Sequence, residues 1–273
     1  YVFEFRLIRA DGGFAFYGMV LRPWLAYAAL RQNSMSFQKM TVLDITAATF
    51  QHYTERDWRD CCSSRDQSLL VCANQYNETD HNHLHRRWEE HGMYTWYEHR
   101  ADGHTLCIGD YSPDAGPIDT GSDLGGPVSI PFRAESGSHE DDAIHSWQAV
   151  RKIGPGSVTL ASFDYKNPRA QVVTIPSINK QGAVWSFERY ENTGADGYKS
   201  ASGDGNVLAQ RRMEEHDSLA QYFEASGNDR CVQSGRTFRL DGHFSAVESG
   251  NLHGRSPETD VRDREYLILA VEH

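Results

Sequence analysis

The chain has 273 residues, 39% of them hydrophobic and 24% charged, with 38 acidic against 27 basic side chains and a formal net charge of −11. That length can bury a core in one large domain or two modest ones. The acidic balance argues against a nucleic-acid binder, which neutralises phosphates with Lys and Arg, and against adhesion to anionic lipid.

No apolar run approaches the roughly 18 residues of a membrane-crossing helix, so no direct membrane span is expected, and no secretory signal is legible. The chain opens Tyr1-Val2-Phe3 without Met and reads as strand at once, as an excised piece of a longer protein would. Phe3, Phe5 and Leu7 alternate with Glu4, Arg6 and Ile8, and Asp11-Gly12-Gly13 turns the chain into a second strand, Phe14 to Leu21. Pro23 suits the first residue of a helix running through Trp24, Leu25 and Leu30. Thr41 with Asp44 three residues later forms a capping box, and Val42, Ile45 and Thr49 make one helical stripe. Arg56 to Gln67 is polar and reads as a surface loop.

Leu69 to Tyr76 reads as a strand, followed by a short helix capped by Asn77 or Thr79 and ended by Gly92, with Leu84 and Trp88 as its buried contacts. Met93 to His99 and His104 to Ile108 form a second hairpin across Ala101-Asp102-Gly103. Ser112 to Pro127, rich in Gly, Pro, Asp and Ser, reads as a linker. Strands are then expected near Val128 to Arg133, Ile144 to Ile153, Ser157 to Tyr165 and Val184 to Tyr190, and a glycine-rich loop over Asn192 to Asp204. A helix follows from about Val207 to Ala225, ending at Gly227, and Thr237 to Leu240 and Glu265 to Glu272 are late strands. The fold class is mainly β with short helices, a β-rich α+β chain. Long helices do not alternate with strands, which disfavours a doubly wound parallel sheet.

Chemistry is harder to find. The five cysteines, Cys61, Cys62, Cys72, Cys107 and Cys231, are odd in number and irregular in spacing; they read as free thiols in a reducing cytosol, not as a disulfide framework or zinc knuckle. His81, His83, His85, Glu89, Glu90 and His91 cluster in one stretch. On a helix His81 and His85 share a face that Glu89 continues, while His83 points elsewhere. A metal needs three or four converging ligands, so a solvated helix face is the preferred reading and no metal is expected. His139-Glu140-Asp141-Asp142-Ala143 begins like a zincin motif, but Ala143 stands where the second His belongs. The acidic run suits a solvated turn. Gly121 to Gly126 lacks the Lys-Ser/Thr of a phosphate-binding loop, and no GxSxG elbow occurs. No catalytic residue and no cofactor are expected. A metal-dependent hydrolase is kept as a minor alternative.

One block is more specific. Gln75-Tyr76-Asn77-Glu78-Thr79-Asp80, then Leu84, Arg87, Glu89 to Tyr94 and Trp96-Tyr97-Glu98-His99, resembles a signature of the VgrG family: Gln-Tyr-x-Glu-[Ser/Thr]-Asp, Phe-Leu, Arg-Leu, Glu-Glu-x-Gly-Ile and an aromatic hairpin ending Glu-His. Leu21-Arg22-Pro23-Trp24-Leu25, Phe37-Gln38, Phe163-Asp164-Tyr165 with Pro168, Leu208 to Arg212, and Gly235, Phe238, Leu240, Gly242 and His243 extend the resemblance over almost the whole chain. Here His81 and His83 replace aromatics, and Trp88 an aliphatic residue.

The resemblance implies two antiparallel β-barrel tube domains of a phage-tail-hub-like fold. A first hub region would span 1–111, a linker 112–127, and a second barrel region with the late helix 128–273. It implies a structural, non-enzymatic homotrimer, the base of a type VI secretion spike, docking onto the hexameric Hcp tube and carrying effectors or adaptors through a C-terminal region. It implies assembly in the bacterial cytoplasm, then secretion or injection into a target cell. The part of the first barrel nearest the N-terminus and the needle beyond residue 273 would lie outside this segment. The alternative role is the tail hub or late-control protein of a prophage.

Overall fold

The computed structural model describes residues 1–63, 69–119, 128–134, 142–164, 167–179, 187–195, 204–243 and 265–272. The chain divides into two compact units, Tyr1–Asp114 and Ala115–His273. It is mainly β with three α-helices among the described residues.

In the first unit, β1 (Val2–Asp11) and β2 (Phe14–Leu21) pair antiparallel. Gly12 and Gly13 take φ of 55° and 84°, the left-handed conformation that a two-residue hairpin loop of type I′ requires. The expected helix after Pro23 is a single 3₁₀ stretch, Trp24–Ala29, with Pro23 as its cap residue. The chain then enters β3 (Gln32–Met40), which the sequence pattern hides because Phe37 is its only buried side chain. β3 pairs antiparallel with β5 (Leu70–Thr79). Between them α1 (Val42–Phe50) starts on the expected capping box: Thr41 Oγ1 accepts from the Asp44 N–H at 3.1 Å, and Asp44 Oδ2 accepts from the Thr41 N–H at 3.0 Å.

α2 (Asp80–Glu90) is capped by Thr79, whose hydroxyl accepts from the Asn82 N–H, and it stops at Gly92 with φ 68°. β6 (Tyr94–Arg100) and β7 (Gly103–Gly109) form the second hairpin. The stretch read as a polar loop contributes β4 (Trp58–Asp60), too short to show a period, which adds to β7 in parallel; residues 64–68 of that stretch lie outside the described set. Leu84 and Trp88 are fully buried with Trp24, Leu25, Phe50, Leu106 and Ile108. Burying each such side chain contributes about 1.5–3 kcal/mol. The Trp88 indole N–H is satisfied by Thr46 Oγ1 at 2.9 Å.

In the second unit β14 (Thr237–Asp241) is flanked by β8 (Ser129–Pro131) in parallel and β15 (Glu265–Leu267) antiparallel. Ile118, Ile130, Ile144, Phe238, Leu240 and Ile268 form their core. β10 (Ser157–Asp164) lies between β11 (Asn167–Pro176) and β12 (Glu188–Ala195). β11 went unread because Asn167-Pro168 looks like a turn. α3 (Asp204–Ala220) sets Ala209 and Met213 on Val158 and Leu160.

The late helix is shorter than expected. At Gln221 the chain becomes β13 (Gln221–Gly227), antiparallel to β9 (Ile144–Arg151). Gly227 therefore ends a strand, not a helix: a Cβ there would sit 2.3 Å from the Ala143 carbonyl oxygen. Asn192 to Ala195, expected in a loop, belong to β12. The expected strand Glu265 to Glu272 keeps its ladder only to Leu267. Residues 120–127, 139–141, 165, 184–186 and 196–203, for which the sequence suggests loops or strands, lie outside the described residues. No helix among the described residues is long and apolar enough to cross a membrane.

Candidate assembly surface

The β1–β2 ribbon is where composition and exposure disagree. Paired residues share a sheet face, and the register sets Phe5 opposite Met19 and Leu7 opposite Tyr17. These four apolar side chains are 61%, 58%, 58% and 54% exposed, in the order Phe5, Met19, Leu7, Tyr17. Phe5 stacks on Tyr17 at 5.0 Å. The ribbon packs chiefly on itself; at its root Tyr1 and Phe3 lean against Tyr27, with ring centroids 5.3 and 5.0 Å apart. The alternation that placed Phe5 and Leu7 on one face was legible in the sequence. Their exposure was not, because an apolar face looks the same whether its own chain or another covers it.

The second unit carries an aromatic cluster. Trp147 stacks on Phe223 at 4.9 Å and meets Tyr266 edge-on at 4.7 Å. It borders an open groove of about 720 Å³, also lined by Phe238, Leu267 and Leu269.

Between β5 and α2 lies a polar network in the family-like block. The Asp80 carboxylate is fully buried. Its Oδ2 accepts from Arg31 Nη1 at 2.6 Å and from the Tyr53 hydroxyl at 2.7 Å, and its Oδ1 from Gln75 Nε2 at 2.8 Å. Burial, and then Asp80, push the Tyr53 phenol above its ordinary range. Glu78 accepts from Arg86 Nε at 3.0 Å on both oxygens, and Arg86 above all pulls it down to about 2. Here is a carboxylate cluster with every oxygen engaged, tying α2 to β5 through Gln75 and Glu78 and to the chain around Arg31 and Tyr53, which suits a structural joint.

The histidines divide as the helix period requires. The His81 and His85 rings stack at 4.1 Å. Burial, then His81, brings His85 down to about 4. His83 faces the other way, buried, with Nδ1 3.2 Å from Glu78 Oε1 and its ring stacked on Phe37 at 5.6 Å. Glu89 is exposed, and Glu90 Oε2 accepts from Arg87 Nη1 at 2.8 Å. Among the described residues no three His, Cys, Asp or Glu side chains converge as a metal site.

Comparison with known proteins adds a family. A model described as phage tail baseplate hub (GPD) matches residues 1–273. The chain is 27% identical over 268 residues to the type VI secretion system spike protein VgrG1a of Pseudomonas aeruginosa, which covers 97% of the chain and 38% of that protein. It therefore spans less than two fifths of that relative. Among solved structures it is similar to an E. coli component of the type VI secretion system, itself described as similar to the T4 bacteriophage tail proteins gp27 and gp5; the TM-score is 0.58 at 11% identity, over 89% of this chain and 50% of that one. It is similar also to a tail protein of Neisseria meningitidis, with a TM-score of 0.56 at 12% identity over 88% of this chain and 68% of that one.

Proposed function

The chain belongs to the phage tail baseplate hub (GPD) family, and on that premise we propose that it is the base of a trimeric VgrG-type spike of a type VI secretion system. Each protomer supplies two similar antiparallel barrels, one from residues 1–111 and one from 128–273, joined through 112–127. Six barrels then offer a pseudo-sixfold ring to the hexameric Hcp tube, which reconciles a threefold spike with a sixfold tube. The base assembles in the bacterial cytoplasm and leaves the cell with the tube, while effectors or adaptors ride on the C-terminal region of the parent protein. Its work is mechanical; no catalytic residue is proposed.

The observation that carries this reading is the β1–β2 ribbon. A lone two-stranded hairpin is marginal in water, and soluble monomers rarely expose a contiguous apolar face of this kind. A partner chain that covers Phe5, Leu7, Tyr17 and Met19 removes both costs.

A prophage tail hub is the second reading, favoured by the similarity to the Neisseria tail protein. The two roles share fold and assembly and differ in the tube they meet. Native mass spectrometry of the chain mixed with hexameric Hcp separates them. The spike reading expects three chains bound per hexamer. A trimer that ignores Hcp but binds a phage tail-tube ring transfers the role to the prophage.

A further inference from the structure

The parallel pairing of β4 with β7 sets Arg59 opposite Cys107. Cys61 lies two residues beyond Arg59, on the same side of the chain, and its backbone N–H donates to the Ile108 carbonyl at 2.8 Å. One guanidinium spans both thiols: Arg59 Nε is 3.4 Å from Cys61 Sγ, and Arg59 Nη2 is 3.4 Å from Cys107 Sγ. Cys61 is half-buried and Cys107 buried. Diagonal neighbours on one sheet face lie roughly 7–8 Å apart, and a disulfide needs Cα atoms within about 7 Å. Closing the bond therefore draws in Cys61, just beyond the end of the three-residue β4, by about 1–2 Å. The adjacent Cys62 is placed otherwise. Its buried thiol donates to the Ile108 carbonyl at 3.6 Å, and bonding it to Cys61 would require a strained eight-membered ring.

We infer that Cys61 and Cys107 are a latent disulfide pair, closed by thiol–disulfide exchange when the chain meets a small-molecule disulfide. The half-buried Cys61 thiolate attacks one sulfur of the disulfide RSSR, forms a mixed disulfide and releases one thiolate RS⁻. Cys107 gives its proton to solvent and attacks Cys61 Sγ; the Cys61–Cys107 bond forms and the second RS⁻ leaves. The two cysteines lose two electrons and two protons, and RSSR gains them to become two RSH. Burial first, then Glu98 and Cys61, push the Cys107 thiol up to about 12, against the pull of Arg59. The second step is therefore slow at neutral pH, and the pair stays reduced in a reducing compartment. Its use rests on the spike reading: a chain that leaves the cytoplasm meets such oxidants outside, and a bond from β4 to β7 would brace it there. The chemistry is independent of that reading, so its failure would leave the spike role standing.

The test incubates the reduced, purified chain with excess oxidised glutathione at pH 8.5, alkylates the remaining thiols and maps unreduced peptides. The expected result is a Cys61–Cys107 cross-linked peptide, with three of the five cysteines alkylated. Tm rises by about 5 °C or more and falls back with dithiothreitol. Cys61→Ser, a half-buried change that leaves the fold intact, loses both the cross-link and the Tm rise. A glutathione adduct that persists on Cys61, a Cys61–Cys62 bridge, or five free thiols after prolonged oxidation overturns the assignment.

Discussion

Asp80 shows what a single buried charge demands. Removing its carboxylate strands three donors at once, Arg31, Tyr53 and Gln75. Asp80→Ala is expected to cost about 3–5 kcal/mol in urea denaturation, the range for breaking a buried ion pair from one side; a loss under about 1 kcal/mol would mean that the network relaxes freely. The sequence block contains Gln75 and Asp80, without showing that they meet, and leaves out Arg31 and Tyr53, which the fold brings in from elsewhere in the chain. A second residue-scale effect is set by pH. His85 titrates near 4 when folded, against about 6.5 for an ordinary imidazole. Between those values the unfolded chain binds more protons than the folded one, so the stability of the fold falls as pH drops from about 6.5 to 4. His81 and His83, also lowered by burial, add to that fall. Stability measured against pH should show this slope, and His85→Gln should flatten part of it; an unchanged slope would contradict the assignment.

At the scale of elements, legibility followed local chemistry. The Gly12-Gly13 hairpin, the Thr41 capping box, the Thr79 cap and the Leu84–Trp88 stripe were readable because each is written in a few adjacent residues. β3 and the passage from α3 to β13 were not, because they depend on pairing with distant strands, and β11 was not, because its opening Asn167-Pro168 looks like a turn. Gly227 belongs to that second class. Gly227→Ala would drive a Cβ into the Ala143–Ile144 backbone, with no flexible side chain there to yield. A loss of about 2 kcal/mol or more is expected in thermal or urea unfolding, whereas a mere helix-ending glycine outside this contact would lose about half that. The β1–β2 ribbon makes the opposite prediction. Leu7→Ser should leave the folding stability of the dilute chain within about 0.5 kcal/mol, since Leu7 is exposed. The same change should weaken self-association at least tenfold in sedimentation velocity. A stability loss with unaltered association would mean that the ribbon serves its own unit.

At the scale of the whole molecule, composition and period led only to an acidic, strand-rich chain. The block from Gln75 to His99 carried the family, because it holds many residue types at definite spacings, and the match over residues 1–273 agrees with it. The role of the surfaces was less legible: exposure, not residue type, distinguishes a face built for a second chain from one built for the core. Assembly is the claim on which the rest depends. Sedimentation equilibrium of the purified chain, taken to the highest soluble concentration, tests it most directly. The account predicts a species with three times the mass of one chain, which reverts to single chains when Phe5, Leu7, Tyr17 and Met19 are replaced by Ser. A wild-type chain that remains monomeric at every concentration would contradict it.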